Sequence, residues 1–324
     1  MKVLFVRFSS IGDIVLTFPV VTAFKEKYPD AHISFLTKSA FIELLSAHTS
    51  IDSAQPFDDS VLNTRKWIKS QKFDIIIDLH KNIRSFSVTM GNAQKIFRFD
   101  KLNFKKKLLT SLKIDKLPEI HLVDRYFEAL IPLGLNKDSL GDSFSVPLSS
   151  KIDVGTVFNV APAKFICIAL GAKFNTKKIP LSLLEQIVGS IDVPIALLGD
   201  HNDVYKGAEI VNKFPQKKIV NCAGKYSILQ SASILEQAEK LITGDTGLMH
   251  IASFFNIDII SIWGNTTPKF GMYPYRKAFH KNDSIIQNKE LSCRPCSKIG
   301  YDKCPKGHFK CMAHDPAKII EAIG

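Results

Sequence analysis

Lys2-Val3-Leu4-Phe5-Val6-Arg7-Phe8, followed by Ser9-Ser10-Ile11-Gly12-Asp13, decides the fold. The first part is short, apolar and rich in β-branched residues, which reads as a buried strand. The serines and Gly12 then end it. A helical pattern runs on to about Lys27, where Pro29-Asp30 stops it, and His32 to Leu36 reads as a second strand. Strand, loop, helix and strand in that order open a doubly wound parallel sheet. Pro19 falls inside the predicted helix and should kink it.

Outward from this unit the same alternation continues. Phe73 to Leu79 is a near-continuous apolar run, as suits a parallel strand covered on both faces. Lys95 to Phe99 reads as a further strand and Val123 to Leu130 as a helix. From Pro132 to Lys164 the chain is turn-rich, with Gly134, Asn136, Gly141, Asp142, Ser143, Pro147, Ser149 and Ser150. A linker is expected at the end of this stretch. Strands then recur at Phe165 to Leu170, Pro194 to Leu198, Lys218 to Val220, Lys240 to Thr243 and Asp258 to Trp263. Helices are expected at Leu181 to Ser190, Asp203 to Phe214, Ile228 to Ala238 and Leu248 to Phe255. The reading is α/β, in two domains at residues 1–160 and 161–324, with a cleft between them and ligands at the carboxyl ends of strands.

The 324 residues are 45% hydrophobic and 23% charged, which excludes a disordered or fibrous chain. No apolar run reaches the roughly 18 residues of a transmembrane helix. Arg7 and Asp13 interrupt the apolar start and no clean cleavage site follows, so a cytoplasmic protein is expected. The formal charge is +12, from 43 Lys plus Arg against 31 Asp plus Glu. Such a balance favours nucleic acid, an anionic membrane surface or phosphorylated substrates.

Five motifs carry chemistry. In the opening loop Gly12 lets a ligand approach the backbone, and Asp13 is either a general base or a helix cap. Thr243-Gly244-Asp245-Thr246-Gly247-Leu248-Met249-His250 runs from a strand through a glycine-flanked turn into a helix, an anion site with His250 on the face of Thr246. The competing readings are a cap for Asp245 and a core histidine for His250. Leu170 to Pro180 contains Ala172, Lys173, Thr176, Lys177 and Lys178, where lysines can meet a leaving diphosphate or simply face water. Lys101 to Lys116 holds six lysines and one acid, Asp115, with Phe104, Leu108 and Leu112 every four residues. It reads equally as a membrane-surface helix or an ordinary surface helix. Cys293, Cys296, Cys304 and Cys311 admit a structural zinc or free thiols in a packed loop. Cys167 and Cys222 read as inert.

Together these pieces resemble glycosyltransferase family 9, the heptosyltransferase family. The resemblance rests on Val6 to Asp13 with Leu16-Thr17-Phe18-Pro19, on Gly244 to Ala252, on Trp263-Gly264-Asn265-Thr266-Thr267-Pro268, and on Gly307-His308-Phe309-Lys310-Cys311-Met312. It implies a GT-B architecture, two Rossmann-like domains with parallel sheets facing a central cleft, acceptor side first and donor side second. It also implies inverting, metal-independent transfer of a heptose or related sugar from an ADP-sugar to the lipopolysaccharide core or a similar lipid-linked saccharide. No cofactor and no nucleic acid are called for, and the location is the cytoplasm, peripheral to the inner membrane. Carried over by position, Asp13 and Lys177 are catalytic. Gly12, Ala172, Lys173, Thr176, Asp203, Gly244, Asp245, Thr246, Gly247, Leu248 and His250 bind the donor, although Ala172 and Lys173 replace two threonines of other members. Ser9, Ser10, Lys81, Arg84, Lys105 and Lys106 are acceptor-side candidates. A nucleotide-sugar epimerase of the same architecture, and a non-catalytic sugar-nucleotide binding protein, are the competing functions.

Overall fold

Val3 to Val6 are wholly buried because the strand they form, β1 (Lys2–Val6), pairs in parallel on both sides. A computed structural model describes residues 1–135, 137, 143–276 and 282–324. The elements that follow β1 are α1 (Ile11–Val15), α2 (Phe18–Lys27), β2 (His32–Thr37), β3 (Ser53–Pro56), α3 (Val61–Gln71), β4 (Ile75–Asp78), α4 (Ile83–Thr89), β5 (Lys95–Arg98), α5 (Asn103–Lys107) and α6 (Leu122–Glu128). Next come α7 (Val154–Phe158), β6 (Ile166–Ala169), α8 (Leu181–Gly189), β7 (Ile195–Leu198), α9 (Val204–Lys213), β8 (Ile219–Asn221), α10 (Ile228–Glu236), β9 (Lys240–Gly244), α11 (Gly247–Ala252), β10 (Asp258–Trp263), β11 (Ser284–Gln287) and α12 (Pro316–Ile323).

Pro19 does more than kink the first helix. The helical run breaks at Leu16-Thr17, and Pro19 becomes the second residue of α2. There its missing N–H has no partner to lose and its fixed φ suits a helix start.

The chain divides into two units, each built on one fully parallel sheet. Unit 1 comprises Met1–Leu102 and Ile120–Pro147, and its strand order is β3-β2-β1-β4-β5. Phe5 faces Phe35 and Ile77 across the ladders, and its ring meets Phe24 edge-on at 5.8 Å. Each such buried side chain contributes about 1.5–3 kcal/mol. Unit 2 comprises Asn103–Glu119 and Leu148–Gly324, with order β11-β10-β9-β6-β7-β8 and a core of Ile, Leu and Val from β6, β7, β9, β10 and α8.

These boundaries depart from residue 160 for physical reasons. Residues 148–160 pack on unit 2, where Ile152 N donates to Ser233 Oγ at 2.8 Å and the Phe158 ring meets Phe165 at 5.3 Å. The basic segment also leaves the first half. Lys113 Nζ donates to Cys293 O and Pro295 O at 2.8 and 2.7 Å, and Lys269 pairs with Asp115 at 2.5 Å. Asn136, Gly141 and Asp142 of the expected linker lie outside the described residues. Among the described residues no helix is long and apolar enough to cross a membrane.

Candidate functional site

Sheet order locates a crevice in each unit. A ligand crevice opens where successive connections leave a strand in opposite directions, beyond the carboxyl ends. In unit 1 this point lies between β1 and β4, so the loops are Arg7–Ser10 and Leu79–Asn82. In unit 2 it lies between β6 and β9, so the loops are Leu170–Ile179 and Asp245–Thr246. Sequence motifs and sheet topology therefore converge on the same turns.

In unit 1, Asp13 is not the helix cap. Ser10 holds that position, and Asp13 is the third helical residue of α1. Asp13 Oδ2 accepts from Ser10 N at 3.1 Å and from Ser10 Oγ at 3.0 Å, while Oδ1 meets Arg7 Nη2 at 2.5 Å. Gly12 is buried in the same turn. Across the crevice, Asp78 accepts from His80 N and Lys81 N. His80 is 9% exposed, and burial followed by the charges of Arg7 and Lys101 pushes its imidazole down to about 3. It is neutral at any working pH.

In unit 2, Lys177 Nζ reaches Asp245 Oδ2 at 2.9 Å, and Thr266 Oγ1 donates to the same oxygen at 2.9 Å. Two glycines make this possible. A Cβ on Gly244 would collide with the Lys177 carbonyl, and one on Gly264 would sit 2.7 Å from Thr176 O. Thr246 caps α11, accepting from Met249 N at 3.3 Å, and Gly247 and Leu248 form its first turn. That helix has six residues, so its dipole is small and the lysines carry most of the positive charge.

Glycosyltransferase family 9 (heptosyltransferase) matches the chain over residues 61–304. This chain belongs to that family. A lipooligosaccharide heptosyltransferase 2 of Haemophilus influenzae is 23% identical, over 83% of this chain and 85% of that protein. A family 9 glycosyl transferase from Veillonella parvula superposes with a TM-score of 0.78 at 17% identity, covering 99% and 96% of the two chains. The E. coli heptosyltransferase WaaC with ADP-2-deoxy-2-fluoro heptose gives 0.69 at 17% identity, covering 100% of both. The fold is the GT-B fold of these glycosyltransferases.

Within the family 9 chain, several residues expected to bind donor are buried or held by other side chains. Thr176 is 3% exposed, and its hydroxyl both donates to Tyr301 O and accepts from Tyr301 N, each at 2.8 Å. Asp203 is buried, held by Lys178 Nζ at 3.0 Å and by Asp200 N at 3.2 Å. His250 is buried on α11. Ala172 is half-buried, whereas Lys173 is exposed with its Nζ over the Phe174 ring.

Of the acceptor-side candidates, Ser9, Ser10, Lys81 and Arg84 cluster in unit 1, and Arg84 pairs with Asp59 at 2.5 Å. Lys105 and Lys106 belong to unit 2. Zinc and free thiols in a packed loop are the two readings of Cys293, Cys296, Cys304 and Cys311. All six cysteines are free, and among the described residues no group of three or more His, Cys, Asp or Glu side chains could hold a metal ion. Cys293 Sγ instead faces His308 Nε2 at 3.8 Å. Their segment braces the loop after β10. Arg294 donates to Gly264 O at 2.5 Å and to Thr266 O at 2.9 Å, and Cys296 N donates to Asn265 O at 3.1 Å. Cys167 and Cys222 are buried, with both thiols pushed up by burial.

The sequence reading assigned no role to Arg7, His80, Tyr126 or Arg294. The signal for Arg7 was present: a cation inside an apolar run, six residues before an acid, has to find a partner once buried.

Proposed function

We propose that this glycosyltransferase moves a heptose from ADP-heptose to the lipopolysaccharide core with inversion at the anomeric carbon. Unit 2 holds the donor diphosphate through Lys177, Lys173 and the Gly244–Gly247 turn. Asp13 of unit 1 takes the proton from the acceptor hydroxyl as that oxygen forms the new glycosidic bond. Breaking the bond to ADP leaves charge on the diphosphate, which Lys177 meets without a metal. The observation that carries this reading is the pair of ion pairs at the two crevices, one presenting a carboxylate and the other a lysine. The named relatives support the sugar and the acceptor. The exposed Lys105 and Lys107, beside Phe104 at 74% and Leu112 at 63% exposure, support a peripheral seat on the anionic inner face of the membrane.

A donor screen tests the proposal. ADP-, GDP- and UDP-sugars are compared by thermal shift, since a ligand of the native state raises Tm by mass action. ADP-heptose is expected to give the largest shift, and a product of inverted anomer should form only when lipopolysaccharide acceptor is added, with or without EDTA. Conversion of the donor sugar without acceptor would make the protein an epimerase. A shift confined to GDP- or UDP-sugars would replace the donor.

A further inference from the structure

Arg7 follows the last residue of β1 and is 5% exposed. A buried guanidinium must have its donors met, or it costs more than it stabilises. Here Nε donates to Ser9 O at 2.9 Å, Nη1 donates to Leu79 O at 2.5 Å, and Nη2 stands 2.5 Å from Asp13 Oδ1. The two carbonyls belong to the loops that follow β1 and β4, on opposite sides of the crevice. Main chain therefore fixes two arms of the fork, and the third is aimed at the carboxylate. Ser10, which is exposed, holds the other oxygen. An incoming acceptor hydroxyl can displace the Ser10 hydroxyl and leave the Arg7 contact in place.

We propose that Arg7 is a positioning residue of the transfer: it orients the Asp13 carboxylate in the crevice and keeps it ionised, and it acts on the reaction only through Asp13. The inference rests on the reading of Asp13 as the base. The remaining groups around the pair make its pH signature readable. His80, from the loop after β4, stays neutral, and Tyr126, from α6, stays protonated because burial raises its phenol. Asp78, Lys101, Arg84 and Arg125 act on Arg7, His80 or Tyr126 from further out. Arg84 is already paired with Asp59. Down to about pH 4 neither His80 nor Tyr126 changes charge, so an acid limb that rises toward the ordinary carboxylate value of about 3.9 in an Arg7 variant belongs to Asp13.

An adjacent arginine lowers a carboxylate's pKa by roughly 1–3 units. It increases the ionised fraction in acid and fixes orientation, while making each ionised carboxylate a weaker base. A merely structural arginine would move stability and leave the pH limb where it was.

The test is the pH dependence of kcat/KM for the full chain and its Arg7→Met, Arg7→Lys and Asp13→Asn variants, with ADP-heptose and a lipopolysaccharide acceptor, alongside donor Kd. Arg7→Met is expected to raise the acid limb by about 1 pH unit or more and to leave donor Kd unchanged. Arg7→Lys, which keeps the charge and loses the fork, should keep the limb near its parental position and still lower kcat by roughly tenfold. The Arg7→Met, Asp13→Asn double variant should be no slower than Asp13→Asn alone, as expected of residues that act as a unit. An unmoved acid limb in Arg7→Met with losses that add to those of Asp13→Asn overturns the proposal while Asp13 stands. Near-parental turnover in Asp13→Asn removes the base reading, and Arg7's role with it. Should Arg7→Met fail to fold, Arg7→Lys decides, and parental kcat in that variant counts against the proposal.

Discussion

Two of the ion pairs at the crevices, Arg7–Asp13 in unit 1 and Lys177–Asp245 in unit 2, are inverted relative to each other. In unit 1 the cation is the deeper partner, with the Arg7 side chain 6% exposed against 21% for Asp13. In unit 2 the acid is the deeper partner, with Asp245 10% exposed against 17% for Lys177. Arg7 is anchored by two main-chain carbonyls, and Asp245 is anchored by the Thr266 hydroxyl. Under the proposed function the anchored member is structural and the outward member does the chemistry. One parallel-sheet plan thus offers a carboxylate in one unit and an ammonium in the other, which are the two charges that an acceptor hydroxyl and a departing diphosphate need.

The severest way to break this comparison is Asp13→Asn. The amide oxygen can still accept from Ser10, so α1 keeps its start, but nothing remains to take a proton. Turnover is expected to fall roughly 10²-fold or more, with donor binding near parental. Asp13→Ala should lose the same activity and also stability, since it leaves Nη2 of the buried Arg7 without its carboxylate. Turnover in Asp13→Asn within a few-fold of the parent, on a confirmed donor and acceptor, would make the unit 1 pair structural.

Lys177→Ala tests the other side. The loss is expected at saturating donor, roughly 10- to 10²-fold, because the charge matters most as the diphosphate leaves. Asp245→Asn should cost less, since it removes the anchor and keeps the lysine. If Asp245→Asn proves the more damaging of the two, the outward member in unit 2 has been misidentified.

Both crevice loops were legible in the sequence because they are local: an apolar run, a turn with glycine, a helix start. The pairs across them were only half legible. Arg7 and Asp13 are near neighbours in sequence, yet Lys177 and Asp245 meet only because β6 lies beside β9, a pairing that periodicity does not encode. The edge strands β3 and β11 went unread because Ser53–Pro56 and Ser284–Gln287 are half-exposed and lack a continuous apolar run. The side chains of Thr176 and Asp203 hold their loops to Tyr301 and Lys178, contacts that residue type alone does not announce. The allegiance of residues 103–119 was likewise invisible, since it depends on carbonyls near Cys293 and on Phe270.

That allegiance sharpens the comparison with a smaller effect. If the basic segment seats unit 2 on an anionic surface, Lys105→Gln and Lys107→Gln together should weaken binding to vesicles containing anionic lipid, by about 1 kcal/mol per lysine. Added salt should do the same to the parent. Lys106 is a poorer probe, because its Nζ lies over the Phe270 ring at 5.8 Å. A parent protein that ignores such vesicles would remove the membrane from the function.

A last effect concerns stability in acid, and it falls on unit 1. His48 is 5% exposed, and Ser50 N donates to its Nδ1 at 3.1 Å, so the ring proton sits on Nε2, within 3.1 Å of Phe18 O. Burial pushes its pKa down to about 4, against an ordinary value near 6.5. The sign follows directly. Below pH 6.5 the unfolded chain takes up a proton that the folded ring refuses, so unfolding gains as pH falls and stability is lost between about pH 6.5 and 4. The loss from this one group reaches roughly 2–3 kcal/mol at the acid end. His80 adds to it with the same sign, while unit 2 contributes His314, which burial also lowers. His48→Gln keeps a donor near Phe18 O and removes the titration. Melting temperature measured from pH 7 to pH 5 should therefore fall more steeply in the parent than in His48→Gln. Above pH 5 the carboxylates are largely ionised in both proteins and cancel from the difference. Parallel slopes across that window would mean that the ring takes up its proton in the folded protein, and the contrast in acid sensitivity between the two units would lose His48 as its source.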